Sequence, residues 1–232
     1  MNNKEHIKNV IKNTFRIIRE VYHCQKENEN KLGESSKESR IIFPNSCKGE
    51  TRIREQELRF IFVEQLNKEI GAQGEKWDVY YSVETPTKGD KYRFTKGENP
   101  VYDDQEGGKG DSANFDLVIF DNKLQRIALI EFKSNNSGDH KKDIFKLDHP
   151  KEIGDDKEKM PLRYFIEVVK NANINTIRSL KGKMGKKETG IEFRYCVLDN
   201  IRLKSLNDKE IEIIKENGGD ISELVRNSEH LV

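Results

Sequence analysis

Residues 115–134 read FDLVIFDNKLQRIALIEFKS, and the fold turns on how this stretch pairs. Residues 117–120 and 127–130 are apolar runs of strand length. The polar DNKLQ between them is turn-like, so the pattern predicts a β-hairpin. Asp116, Glu131 and Lys133 interrupt strands that otherwise read as buried. A charge in such a place is costly unless it is paired or bound to a metal.

The register follows from arithmetic. If Asp121 faces Arg126 across a four-residue loop, paired residue numbers sum to 247, and Asp116 falls opposite Glu131. Directly opposed side chains stand roughly 4.5–5.5 Å apart at Cβ, and like charges there repel by roughly 0.2–1 kcal/mol. Side chains alternate along a strand, so Glu131 and Lys133 share a face and Phe132 takes the other. Two carboxylates and an ammonium are thus expected at one spot. A hard dication would relieve the repulsion, and Mg²⁺ is commonly held by one or two carboxylates with waters and phosphates. On this reading Asp116→Asn leaves the metal-free fold at least as stable as before.

At these residues a family resemblance enters. Asp116, a hairpin, then Glu131-Phe132-Lys133 resembles the PD-(D/E)xK nucleases, the restriction-endonuclease-like superfamily, with Phe115 where that pattern has proline. The resemblance implies an α/β fold in which helices flank a mixed β-sheet around an αβββαβ core. It implies Asp116 and Glu131 as catalytic metal ligands, joined by the backbone carbonyl of Phe132. Lys133 would stabilise developing charge or orient the attacking water. The implied cofactor is Mg²⁺, with Mn²⁺ as a substitute. A glutamate from the helix before the sheet often reaches the metal site in that superfamily, and EQELRF assigns this role to Glu57. Read as an ordinary helix residue, Glu57 is a solvated glutamate on a charged face.

The chain around the hairpin supports a layered α/β reading. Residues 3–24 carry apolar side chains at three- and four-residue steps and predict an amphipathic helix, followed by a polar linker over 25–40. We take residues 1–45 as an N-terminal helical extension with its linker, and residues 46–232 as the nuclease-like domain. Thr51 is placed as N-cap of a helix over 51–70 ending at Gly71. Residues 77–85, WDVYYSVET, predict a strand. Residues 86–114 form a long loop, with Tyr92, Phe94 and Tyr102 available to contact bases. A helix over 139–149, strands over 162–169 and 191–198, and helices over 173–181 and 207–217 complete the expected order. Strands apolar on both faces imply helices on both sides of the sheet.

Net charge is only +1, which argues against a protein that coats nucleic acid, but the charge is uneven. Lys and Arg less Asp and Glu gives +3 for 1–70, −3 for 71–133, +4 for 134–190 and −3 for 191–232. The acidic block holds the proposed metal site, and basic segments flank it. Lys141 and Lys142, together with Lys181, Lys183, Lys186 and Lys187 in KGKMGKKETG, are candidate phosphate contacts, or else belong to solvated surface. His140 and His149 flank the helix after the motif. Cys24, Cys47 and Cys196 form no CxxC or Cys/His cluster, and no apolar run approaches membrane-spanning length. Walker, dinucleotide-binding and GxSxG motifs are absent from the sequence.

The expectation is therefore a cytoplasmic, Mg²⁺-dependent phosphodiesterase: a DNA endonuclease of restriction or defence type. Its partner would be nucleic acid, with no membrane, and a homodimer is left open. The alternative is a non-catalytic nucleic-acid-binding or protein-interaction module that keeps the nuclease fold. A third reading treats the triad as an internal salt bridge, which leaves one carboxylate uncompensated.

Overall fold

The computed structural model describes residues 2–27, 39–47, 49, 51–95, 98–105, 108–134, 140–156, 159–170 and 190–198. Along the chain these form α1 (Asn3–Glu27), α2 (Glu55–Gln73), β1 (Val79–Pro86), β2 (Tyr92–Arg93), β3 (Val101–Tyr102), β4 (Asn114–Asp121) and β5 (Arg126–Ser134). Then follow α3 (Lys141–Asp148), α4 (Pro150–Ile153), β6 (Leu162–Val169) and β7 (Ile191–Val197). The helices expected over 173–181 and 207–217 lie outside the described residues.

Five strands make one mixed sheet in the order β1-β4-β5-β6-β7. β1, β4 and β5 are antiparallel neighbours, whereas β5, β6 and β7 run parallel. One face packs on α1 and α2 through Leu58, Phe62, Leu117, Ile130 and Phe132. The other packs on α3 through Phe115, Val118, Leu129, Leu147 and Phe165. This is an α/β fold with a helix-flanked mixed sheet. α1 belongs to the same core as α2, and Asn3 at its start accepts the Trp77 indole N–H at 3.0 Å.

The hairpin register holds over Leu117–Ile119, stops short of Asp116 and Glu131, which do not form the expected opposed pair, and slips at the turn. Leu117↔Ile130, Val118↔Leu129 and Ile119↔Ala128 keep the sum of 247, but Phe120, not Asp121, pairs with Arg126. Ile127 is the extra residue. The cause is Asp121, whose Oδ1 accepts the N–H groups of Lys123 and Gln125 at 2.9 and 2.8 Å and tightens the turn. The Asp121 N–H also donates to the Gln125 carbonyl at 3.0 Å, which closes a three-residue turn, one residue shorter than expected, and a one-residue bulge absorbs the mismatch.

Two helix boundaries also move. α2 begins at Glu55, not at Thr51, because Thr51 pairs with Asn45 in a bridge that holds the preceding segment extended. It runs through Gly71 to Gln73, and Gly74, at φ +55°, supplies the left-handed residue that ends it. Pro150 does not merely stop α3. It opens α4 as the first helical residue, where its missing N–H costs nothing.

The 86–114 stretch is a folded excursion rather than an open loop. β2 and β3 pair, and Tyr92 forms a second bridge to Asp111. Its anchor is Glu152 of α4, which is fully buried. This carboxylate accepts the N–H groups of Lys88 and Gly89 at 3.0 and 2.9 Å, the Tyr92 hydroxyl at 3.0 Å and Arg126 at 2.9 Å. Burial and the nearby carboxylate together push the Tyr92 hydroxyl above its ordinary pKa.

Candidate metal and nucleic-acid site

The site lies at the end of the sheet where β5 outlasts β4. Their ladder runs no further than Leu117↔Ile130, while β5 continues to pair with β6 through Ser134↔Val168. Asp116 turns its carboxylate into the gap this opens. Its Oδ2 accepts the Phe132 N–H at 2.7 Å, in place of a ladder bond. The N–H and carbonyl of one strand residue face the same neighbour, so the Phe132 carbonyl faces this gap too. Alternation slips locally: Phe115 packs under α3, whereas Leu117, of the same parity, packs under α2.

The other oxygen of Asp116, Oδ1, accepts Arg59 Nη2 of α2 at 2.7 Å. Nη1 of the same guanidinium donates to Glu84. Val83↔Leu117 and Thr85↔Phe115 bracket Glu84 and Asp116, so these two carboxylates also face each other across strands. Arg59 is the fork between them. Glu84 sits at φ +49°, a backbone region that non-glycine residues seldom adopt and that is found preferentially at functional sites.

Glu131 is 1% exposed, and its Oε1 accepts Lys146 Nζ of α3 at 2.7 Å. Its Oε2 accepts no hydrogen bond from any described residue. Burial pushes this carboxyl well above its usual range. Lys146 pulls it down, and Asp116 and Asp143 push it up. The Lys146 ammonium also reaches the Asn114 carbonyl at 2.7 Å and Asp143 at 3.3 Å. Burial acts to lower its pKa, and Glu131 and Asp143 outweigh that.

Lys133 shares the neighbourhood but holds different partners: Asp143 at 3.4 Å and Glu55 at 3.5 Å. Burial acts to lower its pKa. Asp143, Glu55, Asp116 and Glu131 together outweigh burial and raise it, so the side chain is an ammonium. In the β5–β6 ladder Lys133 lies beside buried Glu167, which stands 3.8 Å from Nε2 of buried His140. His140 itself is left-handed, at φ +48°, just before α3.

The structure therefore brings together Asp116, Glu131, the Phe132 carbonyl and Lys133. It does not bring Glu57. On a helix Glu57 lies about 200° around from both Glu55 and Arg59. It borders the opposite edge of the apolar stripe, on the side where Glu64 takes the Ser39 hydroxyl. Oε2 of Glu57 is buried without a hydrogen-bond partner, and the residue makes no ion pair to the cluster. The helix glutamate at the site is Glu55. Arg59, Lys146 and Asp143 were not marked by the sequence. The α2 and α3 residues fall on one helix edge at i, i+4 and i, i+3 spacing, which becomes informative only once the helix ends are fixed.

Of the expected phosphate contacts, Lys141 donates to Asn99 at 3.2 Å and Lys142 lies 4.5 Å over the Phe94 ring, both remaining exposed. Lys181, Lys183, Lys186 and Lys187 lie outside the described residues. Tyr92 is 2% exposed and packs against Phe94, Tyr102, Phe145 and His149, so it does not present a face to a base.

The donor set can be tested against Mg²⁺. Among the described residues no three His, Cys, Asp or Glu side chains converge to hold a metal. Asp116 and the Phe132 carbonyl face the gap, and Glu131 is near enough for the charge of Asp116 to act on it; two carboxylates and one carbonyl are a number of protein oxygens that Mg²⁺ accepts. The three cations Arg59, Lys133 and Lys146 are paired with five carboxylates, Glu55, Glu84, Asp116, Glu131 and Asp143. Counted fully ionised, the cluster carries two negative charges in excess, the charge of one dication. The residues fit, although Asp116 and one oxygen of Glu131 are already engaged. Comparisons with family models, curated proteins and solved structures find no match to this chain.

Proposed function

We propose that this protein is a Mg²⁺-dependent nuclease with a restriction-endonuclease-like fold, a DNA endonuclease of restriction or defence type. The supporting observation is the gap at the end of β4 and β5. There Asp116 caps the Phe132 peptide beside buried Glu131, in a cluster whose carboxylates outnumber its cations by two. Asp116, Glu131 and the Phe132 carbonyl would hold the metal. When bound, a divalent cation polarises the phosphate and lowers the pKa of water. Lys133, kept protonated by its four carboxylate neighbours, acts as a fixed positive charge toward the developing phosphorane rather than as a base. Lys141 and Lys142 add exposed positive charge at the start of α3 for the flanking backbone.

The test is cleavage of plasmid, linear and single-stranded substrates with Mg²⁺ or chelator, by the parent and by Lys133→Ala. Metal-dependent cleavage should fall by orders of magnitude in the variant, and undiminished cleavage would remove Lys133 from the reaction. One observation favours a second reading, a non-catalytic nucleic-acid-binding or protein-interaction module: both carboxylates already have a cation of their own. That reading expects nucleic-acid binding that chelator leaves unchanged, and no cleavage under any metal.

A further inference from the structure

We propose that Arg59 and Lys146 are internal stand-ins for the divalent cation, each poised to step from a metal ligand to a waiting second anion when metal binds. The idea rests on the metal-centred reading above. Arg59 holds Asp116 with Nη2 while Nη1 is already on Glu84. Lys146 holds Glu131 at 2.7 Å, with Asp143 at 3.3 Å and the Asn114 carbonyl at 2.7 Å. Neither cation would be left bare after yielding its metal ligand. A buried ion stripped of its only partner is strongly destabilising. A cation that merely shifts its weight to a second partner avoids that cost.

The arrangement is symmetric in purpose. Each carboxylate ligand has one protein cation, and each of those cations has one further carboxylate that is not a ligand. Glu84 and Asp143 are therefore the retreat positions. The strained backbone at Glu84 aims that carboxylate at the guanidinium from the strand next to Asp116. Metal-free, each of the two ligand carboxylates is held by its own tethered cation. Metal must compete with two tethered cations, so apparent affinity is set by Arg59 and Lys146 as much as by the ligands.

The experiment is a Mn²⁺ titration of the full chain, read by the electron-spin resonance of free Mn²⁺ and independently by calorimetry. Parent, Arg59→Gln and Lys146→Gln are compared. Glutamine keeps an N–H donor toward each carboxylate while removing the charge, and circular dichroism in chelator establishes that each variant is folded; Arg59→Gln, whose carboxylate Asp116 keeps the Phe132 N–H, carries the test alone if Lys146→Gln unfolds. Each should bind Mn²⁺ at least about tenfold more tightly, since a unit charge a few ångströms from the metal is removed. Glu84→Gln should weaken Mn²⁺ binding in the parent and much less in the Arg59→Gln background, because Glu84 acts through the guanidinium. Parent-like or weaker binding in both single variants overturns the proposal, and tightening in one alone overturns it for the other cation. Equal effects of Glu84→Gln in both backgrounds would make Glu84 a simple source of negative potential and overturn its retreat role. If neither parent nor variants bind Mn²⁺, the metal-centred reading falls together with this one.

Discussion

Asp116→Asn is the perturbation that separates two views of the site. Judged by cross-strand repulsion alone, losing one of two opposed carboxylates relieves roughly 0.2–1 kcal/mol. The contacts of Asp116 reverse that sign. Oδ1 accepts Arg59 and Oδ2 accepts the Phe132 N–H, each at 2.7 Å. An asparagine has one acceptor for these two donors. Whichever way its amide is turned, an NH₂ group meets another donor. The variant loses a hydrogen bond to a charged group, worth about 1.5–3 kcal/mol, and leaves a poorly satisfied donor beside it. Arg59 keeps Glu84, which is half-exposed, so the full cost of breaking a buried pair does not apply. Subtracting the relieved repulsion leaves a net destabilisation of about 1–3 kcal/mol. For a chain of this length that is a fall in Tm of roughly 5 °C.

Urea unfolding in the presence of chelator measures the difference directly, and repetition in millimolar Mg²⁺ measures the linked loss of metal binding. The parent should gain stability from metal and Asp116→Asn much less. A variant as stable as the parent without metal would refute the reasoning. It would mean that repulsion between Asp116 and Glu131 outweighs everything Arg59 and the Phe132 N–H contribute.

Glu152→Ala should cost about 3–5 kcal/mol in urea unfolding, since it leaves Arg126 and two backbone N–H groups without their buried acceptor. It should also open the 86–114 excursion to limited proteolysis; a protease-resistant excursion would show that its aromatic packing suffices. For Glu131 the sign runs as follows: burial raises the folded pKa above the unfolded value of about 4.3, so the contribution favours folding at low pH and is lost as pH rises through the folded pKa. In chelator, the Tm advantage of Glu131→Gln over the parent should therefore grow from about pH 5 to about pH 8, and a pH-independent difference would place the carboxyl in its ordinary range. Glu57→Gln should leave Mn²⁺ binding and cleavage unchanged, whereas Glu55→Gln, which loosens Lys133, should lower cleavage; the reverse ranking would return Glu57 to the site.

Much of this was legible in the residues, and the parts that were not have definite causes. The register of β4 on β5 was read from a four-residue loop closed by Asp121 and Arg126; that pair does not form, and the sum of 247 survives over Leu117–Ile119 because the bulge at Ile127 offsets the change at the turn. With apolar residues on both faces, hydrophobic pattern alone does not set this register, and the Asp121 side chain, which bonds the turn's own N–H groups, is a local choice that such a pattern does not encode. Glu57 lies on the edge of the apolar stripe shared with Ile61 and Glu64, and the stripe alone does not say which of its two edges faces the strand ends. The Arg59–Asp116 and Glu55–Lys133 contacts show that it is the other edge. Lys146 and Glu152 were hidden for another reason. Buried charges in a chain that is 36% charged look like any solvated neighbour until their partners are known.

The position of the site follows from where the sheet changes type. β5 is the junction, antiparallel to β4 and parallel to β6. A hairpin strand can diverge from its partner once the turn no longer constrains it. The parallel pair, clamped between helix-covered faces, continues to Ser134↔Val168. The four residues 131–134 are thus held rigidly from one side and open on the other. Here a strand residue is nearly fully buried and still offers a carbonyl or a carboxylate to something other than a neighbouring strand. Glu131 and Phe132 occupy that position, and Asp116 closes it with a side chain where a ladder bond would otherwise run. Straightening β4 so that Phe115 paired regularly with Phe132 would fill the gap with backbone hydrogen bonds and leave Asp116 no peptide to cap.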